Sequence, residues 1–277
     1  MQDLLSEVAK RLLNKCLKTV ASLSYCEENV SPPLAEKDRI MPQPYHSPLL
    51  SRLTWLDHAF QVAGERPPEE SIYNHQRHSA TVVLDTEALP VKSREADGLI
   101  GTGTRPVTVY TADCLPILIA DTRHKQVAAV HAGLNGALSG VLVNTLRLLI
   151  ERGATPESLM VAVGPAIGPC CYELGEERLA RIGQETPDIT ALLAFTSSQP
   201  TNPKALRPQA VATTQGEWFD LPLLAKRLAM REGVPEAQIE LSQICTYCMA
   251  EEKASYRHNT HFDHGYQQRF SWIRKLS

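Results

Sequence analysis

The 277-residue sequence contains no run of about 18 consecutive apolar residues, the length a membrane-spanning helix needs. It has no long basic run, and its formal net charge is only −3. Nucleic acid and anionic membrane are therefore excluded as main partners. No G-x-G-x-x-G or Walker loop is present, and "GTGTRP" (101–106) has neither the spacing nor a following helix. Internal repeats and low-complexity tracts are also missing. The first residues do not read as a secretory leader, because Asp3 and Glu7 come early and no long apolar stretch follows. The cysteines number seven, too few and too odd for a disulfide framework in a chain of this length. A reducing cytoplasm is the expected location. The thiols then need another role: core packing, metal ligation or nucleophilic catalysis.

What is present is ordinary for a soluble globular protein: 43% hydrophobic and 21% charged residues, enough for one large domain or two small ones. Residues 1–26 carry Leu4, Leu5, Val8, Leu12, Leu13, Leu17 and Val20 at helical spacing. This predicts an amphipathic helix that packs on the body or joins two subunits in a homodimer. Residues 27–50, rich in proline and polar side chains, read as an extended linker. Residues 51–277 form the body. A second proline-rich stretch, 196–209, reads as a surface excursion.

Within the body, strands are expected at 80–85, 106–114, 115–121 and 126–132. One helix is expected over 137–153, stopped by Gly153, and another after Asp220 as N-cap, stopped by Gly233. "SLMVAVGPAIG", "QIELSQI" and "QRFSWIRK" add strands. Strands outnumber helices and do not alternate with them one to one. The expected fold class is α/β, a mixed sheet with flanking helices and not a Rossmann domain.

The chemistry gathers in "TADCLPILIADTRHKQVAAVHAGLNG". Cys114 sits at the corner between two strands, and His131 ends a strand and opens a loop of small residues that leave room for a ligand. A third candidate is His78, just before another strand. Each alone is also compatible with plain core packing. Together, two histidines and a cysteine leave a tetrahedral zinc one ligand short, which is the pattern of a catalytic site. Asp113 either orients a zinc-bound histidine from behind or caps the backbone of the corner. Cys170 and Cys171 follow "GPAIGP" and either line the site or pack in its loop. Cys245 and Cys248 form C-x-x-C. With His258 and His261 they would make a second zinc site, but the spacing is not finger-like, and reduced core thiols are the expectation. "HNTHFDH" (258–264) reads as a solvated loop.

"QRHSATVV", "EADGLIG", "TADCLPILIAD", "VAAVHAG", "VGPAIGPCCYELG", "CTYC" and "ASYRH" together resemble the YfiH, or laccase-domain, family over about residues 52 to 274. That resemblance implies a YfiH-like sandwich of mixed β-sheets with flanking helices, a type shared with toxin deamidases. It implies zinc as cofactor, with His78, Cys114 and His131 as ligands and catalytic residues. The activity implied is phosphorolysis of adenosine, inosine and guanosine, or deamination of adenosine, with phosphate or water as co-substrate. Arg257, Asn135 and Cys170 are the implied substrate contacts. The chain departs from the family at several places, among them His78-Ser79 for H-G and Ser255-Tyr256-Arg257-His258-Asn259 for S-Y-R-R-D, and the most informative concerns the anion site. H-A-G-W-R-G is here His131-Ala132-Gly133-Leu134-Asn135-Gly136, without the tryptophan and without the arginine. An arginine suits phosphate, so its loss predicts a weaker phosphate dependence. Two other functions compete: a cysteine hydrolase or amidase, acting for example on cell-wall precursors with Cys114 as nucleophile and His131 as base, and an inactive binding protein.

Overall fold

The computed structural model describes residues 43–193, 195–197, 205 and 217–277. The expected helix over 1–26, and with it the expected dimer contact, lies outside these residues, as does most of 196–209. Residues 45–52 lie against the body. Tyr45 bridges to Phe60, and Leu49 and Leu50 are buried.

Apolar runs with no polar alternation mark strands covered on both faces. Two such runs are β5 (Leu115–Asp121) and β6 (Gln126–Ala132), in which every residue is buried. They pair antiparallel at the centre of a six-stranded sheet. The sheet is completed by β2 (Val82–Leu84), β3 (Gly98–Gly101), β7 (Leu159–Val163) and β11 (Ile239–Leu241), in the order β11-β7-β5-β6-β3-β2. The outer pairs β11–β7 and β2–β3 are parallel and the inner pairs antiparallel, so the sheet is mixed, as expected.

Alternation along β5 divides the core. Leu115, Ile117 and Ile119 face a helical layer with Leu142, Leu146, Leu149, Leu224 and Leu228. Leu118 and Ala120 face Phe60, Val107, Val109 and Ile273. The second set belongs to a three-stranded antiparallel sheet of β1 (Leu56–Phe60), β12 (Arg269–Lys275) and β4 (Val107–Thr111). The result is a helix–sheet–sheet sandwich. A third small sheet, β8 (Glu173–Leu174), β10 (Glu217–Phe219) and β9 (Phe195–Ser197), lies beside it.

The helix expected over 137–153 is two helices. α1 (Leu134–Ser139) starts earlier, and α2 (Val141–Glu151) follows after a break at Gly140, whose φ of 95° is open to glycine at little cost. α3 is Glu176–Glu185. α4 (Leu221–Arg231) matches its expectation: the Asp220 side chain accepts from the Leu223 amide at 2.9 Å. The solvated loop expected at 258–264 is mostly helix. α5 spans Tyr256–Phe262, with Ser255 capping it through the His258 amide. The strand expected over 106–114 ends at Thr111, so that residues 112–114 form the turn into β5.

Candidate metal centre and active site

The register of β5 against β6 places Leu115 opposite Ala132 and Pro116 opposite His131. Cys114, one residue before β5, therefore reaches the sheet end where His131 stands. His78 comes from the loop before β2. The three side chains converge: one ligand atom from each of His78, Cys114 and His131 lies within 4.8 Å of the others. Cys114 Sγ is 3.5 Å from His78 Nε2, and the two imidazoles meet edge-on at 4.7 Å between centroids. His131 is buried, Cys114 half-buried and His78 exposed, so one side of the set faces solvent. The small residue expected beside the imidazole is essential: a Cβ on Gly133 would fall 2.6 Å from Cys114 Sγ and 2.6 Å from His78 Cδ2.

The residue that organises this set is Asp97. Its carboxylate accepts from the amides of Arg77 (3.1 Å), His78 (3.0 Å) and Ser79 (2.7 Å), and from the Ser79 hydroxyl at 2.6 Å. These contacts hold His78 in the left-handed region, at φ 58°. The second function of Asp97 is to accept from His131 Nδ1 at 2.7 Å. Nδ1 is then the protonated nitrogen and Nε2 keeps its lone pair for a ligand. Burial alone would raise the Asp97 carboxyl, but the hydrogen bonds from His131, Ser79 and Arg77 hold it well below the usual range. Sequence reasoning missed this role. Its only signal was the acidic position in "EADGLIG".

Asp113, the alternative candidate for orienting a histidine, does something else. It accepts from Thr246 Oγ1 (2.7 Å), Ser255 Oγ (2.9 Å) and the Arg257 amide (2.6 Å). It therefore caps α5 and ties the Cys114 corner to the C-terminal part of the chain, with its own φ at 86°. Burial pushes its carboxyl up against those three bonds.

Cys114 has carboxylates for neighbours. Burial, followed by the charges of Asp113 and Asp97, pushes its thiol up to about 12. A thiol so placed is a weak nucleophile without a bound cation. His78 is lowered by burial and by His131.

The expected substrate contacts separate. Arg257 donates to the Glu173 carbonyl at 3.0 Å and lies over the Tyr172 ring at 5.2 Å. Asn135 Oδ1 accepts from the guanidinium of Arg178, which α3 brings across. Burial pushes the Tyr172 phenol up to about 12, and the charges that act on it are those of Arg257, Cys114, Asp113 and Arg178. Arg178 is thus tied to Asn135, four residues after His131, and the Arg257 main chain to Asp113, next to Cys114. Arg178 was not foreseen, because nothing local links position 178 to 135. Cys170 is not with the histidines. It is buried beside Cys171, at 3.5 Å, and Cys248, at 3.9 Å. Cys245 and Cys248 are likewise joined by Cys170 and Cys171, and not by His258 and His261. His261 Nδ1 instead meets the Tyr247 hydroxyl at 2.9 Å.

Residues 57–274 match the family described as multi-copper polyphenol oxidoreductase laccase, and the chain belongs to that family. Among its relatives is a purine nucleoside phosphorylase of Bacteroides thetaiotaomicron, 28% identical over 200 residues, which are 69% of this chain and 68% of that one. Another is purine nucleoside phosphorylase slr1573 of Synechocystis, 28% identical over 212 residues, 74% of this chain and 78% of that one. The fold is that of YlmD from Geobacillus stearothermophilus, with a TM-score of 0.63 at 18% identity over 87% of this chain and 98% of that one. Bacillus licheniformis YfiH is similar, with a TM-score of 0.62 at 18% identity over 80% and 93%. The α/β, YfiH-like sandwich expected from the sequence is the observed fold. No helix among the described residues is long and apolar enough to cross a membrane.

Proposed function

We propose that this chain is a zinc-dependent enzyme that cleaves purine nucleosides, with phosphate as the co-substrate, and that His78, Cys114 and His131 hold the metal. The observation that carries the reading is the open three-donor set, ordered by Asp97 and exposed on the His78 side. Its chemistry suits zinc: two neutral imidazoles and one thiolate leave a position for an oxygen ligand. When bound, zinc supplies a Lewis acid that polarises such an oxygen or lowers the pKa of a bound water toward roughly 7. The names of the relatives support the substrate class.

In phosphorolysis, a phosphate oxygen bonds to the sugar C1′ while the C1′–N9 bond breaks. The bonding pair leaves with the purine, which takes up a proton. The chain's part is to bind and orient. Arg178 and Arg257 oppose the phosphate charge, and the Tyr172 ring holds the Arg257 guanidinium in place. His131 is fixed in one tautomer by Asp97. Two imidazoles, His78 and His131, converge on the Cys114 sulfur, a donor set that supports metal ligation over a simple Cys–His hydrolase pair.

The test is a panel of adenosine, inosine and guanosine with and without phosphate, read by chromatography, alongside elemental analysis. Wild type should release free base and ribose 1-phosphate and carry zinc. Gly133→Ala, whose φ of −68° suits alanine, should keep the fold and lose activity, because the new methyl crowds Cys114 and His78. A wild type that holds copper and not zinc, or leaves every nucleoside intact, would overturn the proposal.

A further inference from the structure

Four other cysteines meet at a second place. Cys170 and Cys171 lie in the turn between β7 and β8, and Cys245 and Cys248 follow β11. Some 75 residues of chain separate the pairs, yet all four sulfurs lie within 4.8 Å of one another. Cys170–Cys248 is 3.9 Å, Cys170–Cys171 is 3.5 Å and Cys171–Cys248 is 3.5 Å. These lengths discriminate. A disulfide requires about 2.05 Å. A zinc ion with four thiolates at about 2.3 Å sets its sulfurs roughly 3.8 Å apart, the edge of the tetrahedron. The observed edges fall on either side of that value. An iron–sulfur cluster would hold its cysteine sulfurs much farther apart.

The surroundings are those of a closed site. Cys170, Cys171 and Cys245 are buried and Cys248 is half-buried. Ile167, Trp218 and Tyr247 pack around them. The Gly168 amide donates to Cys245 Sγ at 3.2 Å, an interaction that favours a thiolate. We infer that Cys170, Cys171, Cys245 and Cys248 bind a structural zinc ion, distinct from the His78–Cys114–His131 centre. S₄ donors in tetrahedral array select zinc or iron, and a fully ligated zinc adds folding free energy without chemistry of its own.

This ion would fasten two segments that both hold the corner before Cys114. On one side, the Ile167 amide donates to the Asp113 carbonyl at 2.9 Å. On the other, Thr246 donates to the Asp113 carboxylate. Ala166 and Cys245 already form a parallel bridge between the segments. The zinc would complete a clamp on the loop that presents Cys114.

Metal content per chain tests this directly and does not depend on the nucleoside reading. Protein purified without chelator should carry about two zinc ions. His131→Ala should keep one, and Cys248→Ser should keep one. Cobalt(II) substitution supplies a readout on wild type should Cys248→Ser fail to fold. The visible bands and sulfur-to-cobalt charge transfer should have the intensity of a four-thiolate site and persist in His131→Ala. A His131→Ala protein free of zinc, or one whose cobalt form lacks thiolate bands, would overturn the inference. Intense red iron–thiolate absorption in the purified protein would overturn the assignment to zinc.

Discussion

Cys114 shares its place with two imidazoles, is half-buried, and stands beside an exposed histidine, whereas Cys245 is buried among three other thiols. The first set is mounted on the ends of strands and ordered by a carboxylate. The second is mounted on turns, and a backbone amide points at its sulfur. The difference matches the distinction between a metal site that reacts and one that holds. A reacting site needs an open ligand position and a fixed imidazole. A holding site needs full coordination and exclusion of water. Asp113 lies between the two, with bonds to the Thr246–Arg257 region and a main chain that leads into Cys114.

Asp113→Ala is the widest way to break the comparison, since it should damage both regions together. Two buried donors, on Thr246 and Ser255, and the half-buried Arg257 amide would lose their acceptor. A single unsatisfied buried donor costs about 1–3 kcal/mol, so the sum should reach roughly 3 kcal/mol or more. The φ of 86° adds strain for alanine. Denaturant unfolding should show the loss, and metal analysis should show both ions held less tightly. A variant that lost one ion and kept full stability would show that the regions are independent.

Part of this arrangement was readable beforehand. β5 and β6 announced themselves as unbroken apolar runs, because a strand buried on both faces has no polar side to alternate with. Cys114 and His131 stood at the ends of such runs, where register brings residues together, and His78 stood in the loop before another strand. Asp97 was visible only as a letter in a motif, since its role depends on His131, 34 residues away. The four-cysteine set was divided between an adjacent pair and a C-x-x-C. Local spacing gave Cys245 and Cys248 no finger-like match to nearby histidines and left them as core thiols, whereas the β7–β11 pairing delivers Cys170 and Cys171 to them. Gly140 broke a helix whose apolar periodicity continues through it, a choice made by backbone geometry at one residue.

Acid sharpens the comparison, because both sets would release metal as their ligands take up protons. A background from elsewhere must first be removed. His58 is buried in β1, and its Nε2 accepts from the Ser47 amide at 2.9 Å. Burial, with His46 nearby, lowers it from 6.5 to about 4. The folded state therefore resists a proton that the unfolded chain accepts. Stability is complete above pH 6.5 and falls as the pH drops toward 4, by about 3 kcal/mol in all. Metal-stripped protein should show this slope, and His58→Gln, which keeps an acceptor for Ser47, should flatten it. An unchanged slope would assign the acid loss to another group.

Asp97→Asn should separate the two regions. The amide keeps the shape but loses the charge that holds the His131 Nδ1 proton, and loss of such a partner typically weakens metal affinity 10–100-fold. Competition with a chelator should therefore show one loosened ion and one unchanged ion per chain. Equal loosening of both would place Asp97 in the general framework and not at the open centre.

The smallest expected effect concerns the cations at the rim. In this chain the arginine of the related motif is Asn135, which read alone suggests a weak hold on phosphate. α3, however, carries Arg178 to the Asn135 side chain, so a guanidinium stands close to where that arginine would begin. It comes from a half-buried side chain on a separate helix and is aimed by a neutral amide. Arg178→Gln removes the charge while preserving a hydrogen-bonding end. A charge-assisted bond is roughly twice as strong as a neutral one, so the KM for phosphate should rise about tenfold, equivalent to about 1.4 kcal/mol. The KM for nucleoside and the metal content should stay constant. Asn135→Arg in that background should restore part of the loss by returning the charge to the loop after β6. If Arg178→Gln leaves phosphate saturation unchanged, Arg257 remains as the cation beside Tyr172, and Arg257→Gln should then show the tenfold rise.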